Sequence, residues 1–66
     1  MSMKCWIARD KNNSLWLFEE KPFLDCDVWR FNPFCNIVFY EVDEDFLPEI
    51  TFENSPQQVE LKLVKI

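Results

Sequence analysis

Hydrophobic and polar residues alternate over short stretches of the chain, at the spacing of β-strands. The stretch at residues 4–9 is followed by the polar run 10–14 and then by a second apolar stretch at 15–19. A polar run rich in Asp and Asn between two apolar stretches predicts a β-hairpin. No segment repeats apolar residues every three to four positions, so no long helix is expected.

Two turn geometries fit this hairpin, and they differ in register by one residue. The first pairs Asp10 with Ser14 and gives Asn13 a left-handed backbone conformation. The second is a two-residue asparagine turn, which would set Arg9 opposite Trp16. We favour the first because it collects the aromatic residues on one face. It places Trp6 opposite Phe18 and Ala8 opposite Trp16, with Cys5, Ile7, Leu15 and Leu17 on the other face.

The rest of the chain continues the β pattern. Residues 23–27 read as a loop and 28–31 as a third strand, while 36–42 form the strongest strand because β-branched and aromatic residues fill it. Residues 46–52 contain a proline and predict a short helical turn leading into an extended piece, and 58–66 alternate as a last strand. We therefore predict a mainly β fold: a small antiparallel meander or half-open barrel of four or five short strands, with at most one short helical turn.

Length and composition are consistent with residues 1–66 forming one small domain. Hydrophobic residues make up 48% of the chain, and its eleven aromatic side chains supply most of the area that so small a core must bury. Two absences argue against an enzyme. There is no histidine, the commonest general base and metal ligand, and no glycine, which phosphate-binding loops require. We therefore predict no catalytic, cofactor-binding or metal-binding residues.

The formal charge of −5 gives the chain a field that repels phosphates, so direct nucleic-acid binding is disfavoured. No apolar run approaches the length of a membrane span, and no apolar segment of signal-peptide type follows the first residues. We expect a cytoplasmic protein with reduced thiols, in which the three cysteines are mostly small buried residues. A bridge between Cys26 and Cys35 stays open as an alternative.

The aromatic residues are the strongest candidates for a function. Three tryptophans are too many to bury fully in 66 residues, and tryptophan and arginine are enriched where proteins bind one another. We therefore predict a small non-enzymatic protein-interaction or accessory domain that uses an aromatic or strand-edge surface. The candidate binding residues are Trp6, Trp16, Trp29, Arg30 and Phe34, and the first choice for the patch is the run Trp29-Arg30-Phe31 together with Phe34.

Two further surfaces are weighed beside this one. If the last strand lies at a sheet edge, it could pair with another protein or with a second copy to form a homodimer, although Lys62 and Lys65 are charges of the kind that protect an edge. The alternative function is that of an acidic inhibitor which imitates nucleic acid and blocks a basic host or phage protein. Its candidate acidic patch comprises Glu41, Asp43, Glu44, Asp45, Glu49 and Glu53.

Two stretches of the sequence carry a resemblance. They are W-I-A-R-D-K-N-N-S-L-W-L-F at residues 6–18, followed by K-P, and F-L-P-E-I-T-F-E-N-S-P-Q-Q-V-E-L at residues 46–61. Together they resemble short uncharacterised proteins of gut Bacteroidetes and of their phages and mobile elements, which share the W-x-A-R-D hairpin and the P-E-x-T segment. Such relatives tend to carry Asp-Gly in the hairpin turn, where this chain has two asparagines. The resemblance implies an accessory protein of a mobile element and assigns no activity.

Overall fold

The computed structural model describes residues 2–32, 34 and 39–62. Within these residues there is no helix, and the strands pair antiparallel throughout, which confirms the predicted fold class. The described part of the chain forms six strands, where we predicted four or five: β1 (Ser2–Arg9), β2 (Leu15–Phe18), β3 (Phe23–Asp25), β4 (Val28–Arg30), β5 (Phe39–Val42) and β6 (Gln57–Lys62). A four-stranded sheet has the order β5-β2-β1-β6, and β3 and β4 form a separate two-stranded sheet.

The β1–β2 hairpin has the register that we favoured. Trp6 lies opposite Phe18, and the backbone N–H of Asp10 donates to the carbonyl of Ser14 at 2.8 Å. Asn13 has a φ of 82°, a left-handed conformation that asparagine tolerates better than most residues. The predicted turn and the predicted division of side chains between the two faces are both confirmed.

The loop predicted at residues 23–27 was wrong. Phe23–Asp25 forms β3 and pairs with β4 through a two-residue turn at Cys26 and Asp27. Cys26 takes the left-handed conformation, with a φ of 57°. A turn of this kind is recognised in sequence by Gly, Asn or Asp at its left-handed position, and here a cysteine occupies it. The segment therefore lacked the signal that would have identified the hairpin.

Three other predicted segments agree with the structure in part. The third strand ends at Arg30, one residue earlier than predicted. The strongest predicted strand is present from Phe39 onward, with residues 36–38 outside the described part of the chain. The last strand begins one residue early, at Gln57, and its predicted continuation over 63–66 also lies outside the described part of the chain.

The prediction for residues 46–52 was wrong. They form turns and bends, with neither the helical turn nor the extended piece that we predicted.

The core lies on one face of the four-stranded sheet. Ile7 and Leu15 are buried in its centre, and Ile50 covers them from the connection between β5 and β6. Half-buried apolar residues surround this centre: Leu17, Val42, Leu47 and Val59. Cys5 is buried on the same face, as predicted. The opposite face of the sheet carries the aromatic residues of β1, β2 and β5, and the candidate site lies on this face.

Candidate functional site

A groove lined by aromatic side chains lies between the four-stranded sheet and the β3–β4 hairpin. It encloses about 520 Å³ and is open to solvent. We call it the aromatic groove. Its rings come from β2, β5 and the stretch that contains β3 and β4: Trp16, Phe18, Phe23, Trp29, Phe31 and Phe39. Three charged residues, Asp10, Asp25 and Arg30, also line it.

Phe39 stands at the centre of these rings. Its ring centroid is 4.5 Å from that of Phe31, 5.8 Å from Trp16 and 6.3 Å from Phe18, which are ordinary distances for interacting aromatic pairs. Despite three aromatic neighbours, 41% of Phe39 remains exposed. Phe23, on the β3–β4 side, is 48% exposed. The groove is therefore a partly unfilled apolar surface, of the kind that marks interaction sites.

Trp29 connects the β3–β4 hairpin to the four-stranded sheet through hydrogen bonds and packing. Its indole Nε1–H donates to the carbonyl oxygen of Arg9 at 3.0 Å, and its backbone N–H donates to Oδ1 of Asp10 at 2.9 Å. Its ring also lies 6.4 Å from that of Phe52. A further backbone bond joins the N–H of Lys11 to the carbonyl of Asp27 at 3.1 Å. The three hydrogen bonds all lie at or just after the end of β1, so the β1–β2 turn positions one wall of the groove.

Arg9 forms hydrogen bonds on the opposite side of the same turn. It is only 5% exposed, and its guanidinium donates to backbone carbonyls of the β1–β2 turn and of the connection after β5. Buried charge is tolerated in proteins when its hydrogen bonds are satisfied, and this side chain uses all three of its nitrogens. The carbonyl acceptors belong to Asn13, Glu44, Phe46, Leu47 and Ile50.

One of these acceptors lies on a strained residue. Leu47 has a φ of 49°, a conformation that costs a leucine about 1 kcal/mol because Cβ approaches a carbonyl oxygen. The bond from Arg9 Nη2 to its carbonyl, at 3.3 Å, and the packing of its side chain against the core oppose that cost. We did not predict this role of Arg9. The indication of it in the sequence is the position of Arg9, which follows Cys5 and Ile7 on the inward face of β1.

The structure brings together only some of the predicted binding residues. Trp16, Trp29 and Arg30 line the aromatic groove, and Arg30 Nε makes a 2.9 Å ion pair with Asp25 at its rim. Trp6 is on the same sheet face as Trp16 but does not line the groove; Lys21 Nζ lies 5.4 Å from its ring. Phe34 is 95% exposed and outside the groove. Phe31, which we placed beside Trp29 and Arg30 in the predicted patch, also lines the groove. The lining residues that we missed are Phe18, Phe23, Val28, Phe39, Asp10 and Asp25.

The predicted acidic patch divides between two neighbouring hollows, both of which Glu44 lines. Glu44, Asp45 and Glu53 line one of them, together with Arg9 and Lys11. Glu41 and Asp43 line the other, which Glu44 also reaches. Glu49 lines neither hollow. Five of the six acids are thus near one another, while the nucleic-acid-like role of the patch stays a prediction.

Strand β6 is at an edge of the four-stranded sheet. Its pairing with another protein or with a second copy of the chain stays a prediction.

The two cysteines in the described part of the chain show no sign of a reactive site. Burial raises the pKa of the Cys5 thiol, which keeps it protonated and inert at neutral pH. Cys26 is exposed, so the expectation of a small buried residue was wrong for it, and Cys35 lies outside the described residues. Among the described residues no three Cys, Asp or Glu side chains form a group that could hold a metal ion.

No family model matches the chain, and neither curated proteins nor solved structures give a significant match. The described residues also contain no helix that is long and apolar enough to cross a membrane. The geometry of the aromatic groove is therefore the basis for assigning a function.

Proposed function

We propose that this protein is a non-enzymatic interaction domain which binds another protein through the aromatic groove. The observation that carries the proposal is the exposure of Phe39 at the centre of a cluster of rings. A partner side chain entering the groove would cover Phe39, Phe23 and Val28, all of which are at least 37% exposed in the free protein. Burying such rings in a pocket that is already formed is the usual physical basis of a binding hot spot.

The groove is suited to this role because its walls are fixed before a partner arrives. Trp29 is hydrogen-bonded through both its indole and its backbone N–H, and Trp16 is on a central strand of the sheet. A partner therefore loses little binding free energy to ordering this surface. In keeping with the resemblance of the chain to mobile-element proteins, we propose a cytoplasmic host or phage protein as the partner.

Strand β5 provides a matched pair of variants that tests the proposal. Phe39 faces the groove, and its neighbour Tyr40 is on the opposite face of the same strand with 61% of its surface exposed. We expect Phe39→Ala to weaken binding of the partner about 30-fold, as loss of a hot-spot ring does, and Tyr40→Ala to change it less than about threefold. The partner is captured on the wild-type protein, identified by mass spectrometry, purified, and titrated against each variant by calorimetry.

Circular dichroism of each variant shows whether the fold is kept. If Phe39→Ala is unstable, Phe39→Leu takes its place in the titration, because leucine removes the ring but retains most of the apolar volume. Equal losses for Phe39→Ala and Tyr40→Ala, with both proteins folded, would contradict the proposal.

The alternative, an acidic inhibitor of a nucleic-acid-binding protein, is supported by the grouping of Glu44, Asp45 and Glu53 around one hollow. It makes the opposite prediction for the same titration. Replacing these three acids with their amides would abolish binding and Phe39→Ala would leave it intact, because a mimic of phosphates acts through its charge.

A further inference from the structure

Asp10 is a buried carboxylate in the wall of an apolar groove. It is 6% exposed, and its Oδ1 accepts a hydrogen bond from the backbone N–H of Trp29. The ion pairs among the described residues are Lys11 with Asp27 and Arg30 with Asp25, so Asp10 belongs to neither. A buried carboxylate is costly unless a positive charge or several hydrogen bonds compensate it. The groove therefore contains an acidic group that has no ion-pair partner among the described residues.

Neither of the basic residues next to Asp10 in the sequence pairs with it. The hydrogen bonds of the Arg9 guanidinium within the described residues all go to backbone carbonyls, and none goes to Asp10. Lys11 Nζ pairs with Asp27 at 3.9 Å. Arg30 also lines the groove, but the 2.9 Å contact with Asp25 matches its charge. The charged groups of the groove thus leave one net negative charge, that of Asp10.

The rings around Asp10 suit a cation as well as an apolar group. The face of an aromatic ring is electronegative and attracts an ammonium or guanidinium group within about 6 Å. The protein already shows this contact on the same sheet face, where Lys21 Nζ lies 5.4 Å from the ring centroid of Trp6. The formal charge of −5 also raises the local concentration of cationic partners.

We propose that the aromatic groove binds a lysine side chain of the partner protein, with its methylenes against the rings and its ammonium group near the carboxylate of Asp10. This inference rests on the proposed function and names the anchoring residue of the partner. It requires a partner whose exposed surface carries a lysine that can enter the groove between the sheet and the β3–β4 hairpin.

Two small probes separate the charge from the apolar stem. N-acetyl-lysine N-methylamide carries the full side chain, and N-acetyl-norleucine N-methylamide has nearly the same methylenes without the ammonium group. Each is titrated into the ¹⁵N-labelled protein at low and at high salt. We expect the lysine probe to bind about fivefold more tightly than the norleucine probe at low salt, from the cation–π and carboxylate contacts. High salt should weaken the lysine probe and leave the norleucine probe unchanged.

The variant Asp10→Asn keeps an oxygen acceptor for Trp29 N–H and a residue that favours this turn position, while it removes the charge. It should bring the two probes to equal affinity. If norleucine binds wild-type protein as tightly as lysine, or if neither probe moves signals of the groove, the lysine inference is overturned. The proposed function is then judged separately, by the comparison of Phe39→Ala with Tyr40→Ala, which does not depend on the chemistry of the anchor.

Discussion

Arg9→Ala is expected to lower the free energy of unfolding by about 3–5 kcal/mol, because the buried carbonyl of Ile50 and four partly buried carbonyls lose their donor at once. A 66-residue domain has a total stability of about 3–10 kcal/mol, so this one change would unfold much of the protein. The connection after β5 should suffer most, since Leu47 and Ile50 would lose the bonds that hold them over the core. Urea denaturation followed by tryptophan fluorescence measures the loss.

The only other arginine of the chain provides the control. Arg30 is 58% exposed, and its ion pair with Asp25 is of the surface kind, so Arg30→Ala should cost less than about 1 kcal/mol. Arg9→Lys is informative as well. It keeps the positive charge but lacks the planar fork that reaches several carbonyls, so its loss should be intermediate. A loss below about 1 kcal/mol for Arg9→Ala would show that these hydrogen bonds do not stabilise the fold.

Trp29→Ala should detach the β3–β4 hairpin from the four-stranded sheet while the β1–β2 pairing is retained. The change removes a half-buried ring and its indole donor, so we expect a loss of about 2–4 kcal/mol. It also removes one wall of the aromatic groove. Binding of the partner should therefore fall below detection even where the main sheet is intact.

Hydrogen exchange distinguishes this local effect from general destabilisation. In Trp29→Ala the amides of β3 and β4 should exchange much faster than in the wild type, and those between β1 and β2 should keep most of their protection. Trp6→Ala is the matched control, because Trp6 is also half-buried but lies outside the groove. Uniform loss of protection in Trp29→Ala would contradict a hairpin that is attached mainly through this residue.

The sequence predicted the parts of the fold that local signals determine. The β1–β2 register follows from a polar turn of fixed length, from an asparagine at its left-handed position, and from the gathering of aromatic residues on one face. The same reasoning missed β3, because Cys26 occupies the position where Gly, Asn or Asp would have marked the turn. The residue at the left-handed position of the turn thus made one hairpin predictable and left the other unrecognised.

The aromatic groove could be predicted only in part, because its residues are distant in sequence. Trp16, Trp29 and Arg30 were identified as residue types that favour binding, yet nothing local places Phe39 beside Phe31. That arrangement depends on β5 pairing with β2 and on Trp29 fixing the β3–β4 hairpin to the end of β1. Arg9 was missed for a similar reason, since its acceptors are mostly 35 or more residues away.

The adjacent residues Arg9 and Asp10 connect stability with binding. On the core side, the guanidinium of Arg9 donates hydrogen bonds to the turns. On the other side, the carboxylate of Asp10 accepts a hydrogen bond from the backbone N–H of Trp29 and lines the groove. The main-chain carbonyl of Arg9 also accepts the indole bond of Trp29. A change in the turn at the end of β1 would therefore alter the core and the groove together.

The three tryptophan indole signals test the central claim, that the partner binds in the aromatic groove, most directly. Trp16 and Trp29 line the groove and Trp6 does not, so the chain carries its own control. When the purified partner is added to the ¹⁵N-labelled protein, we predict that the indole N–H signals of Trp16 and Trp29 shift and that the signal of Trp6 stays in place. A shift of Trp6 alone, or binding that leaves all three indole signals unmoved, would contradict the account.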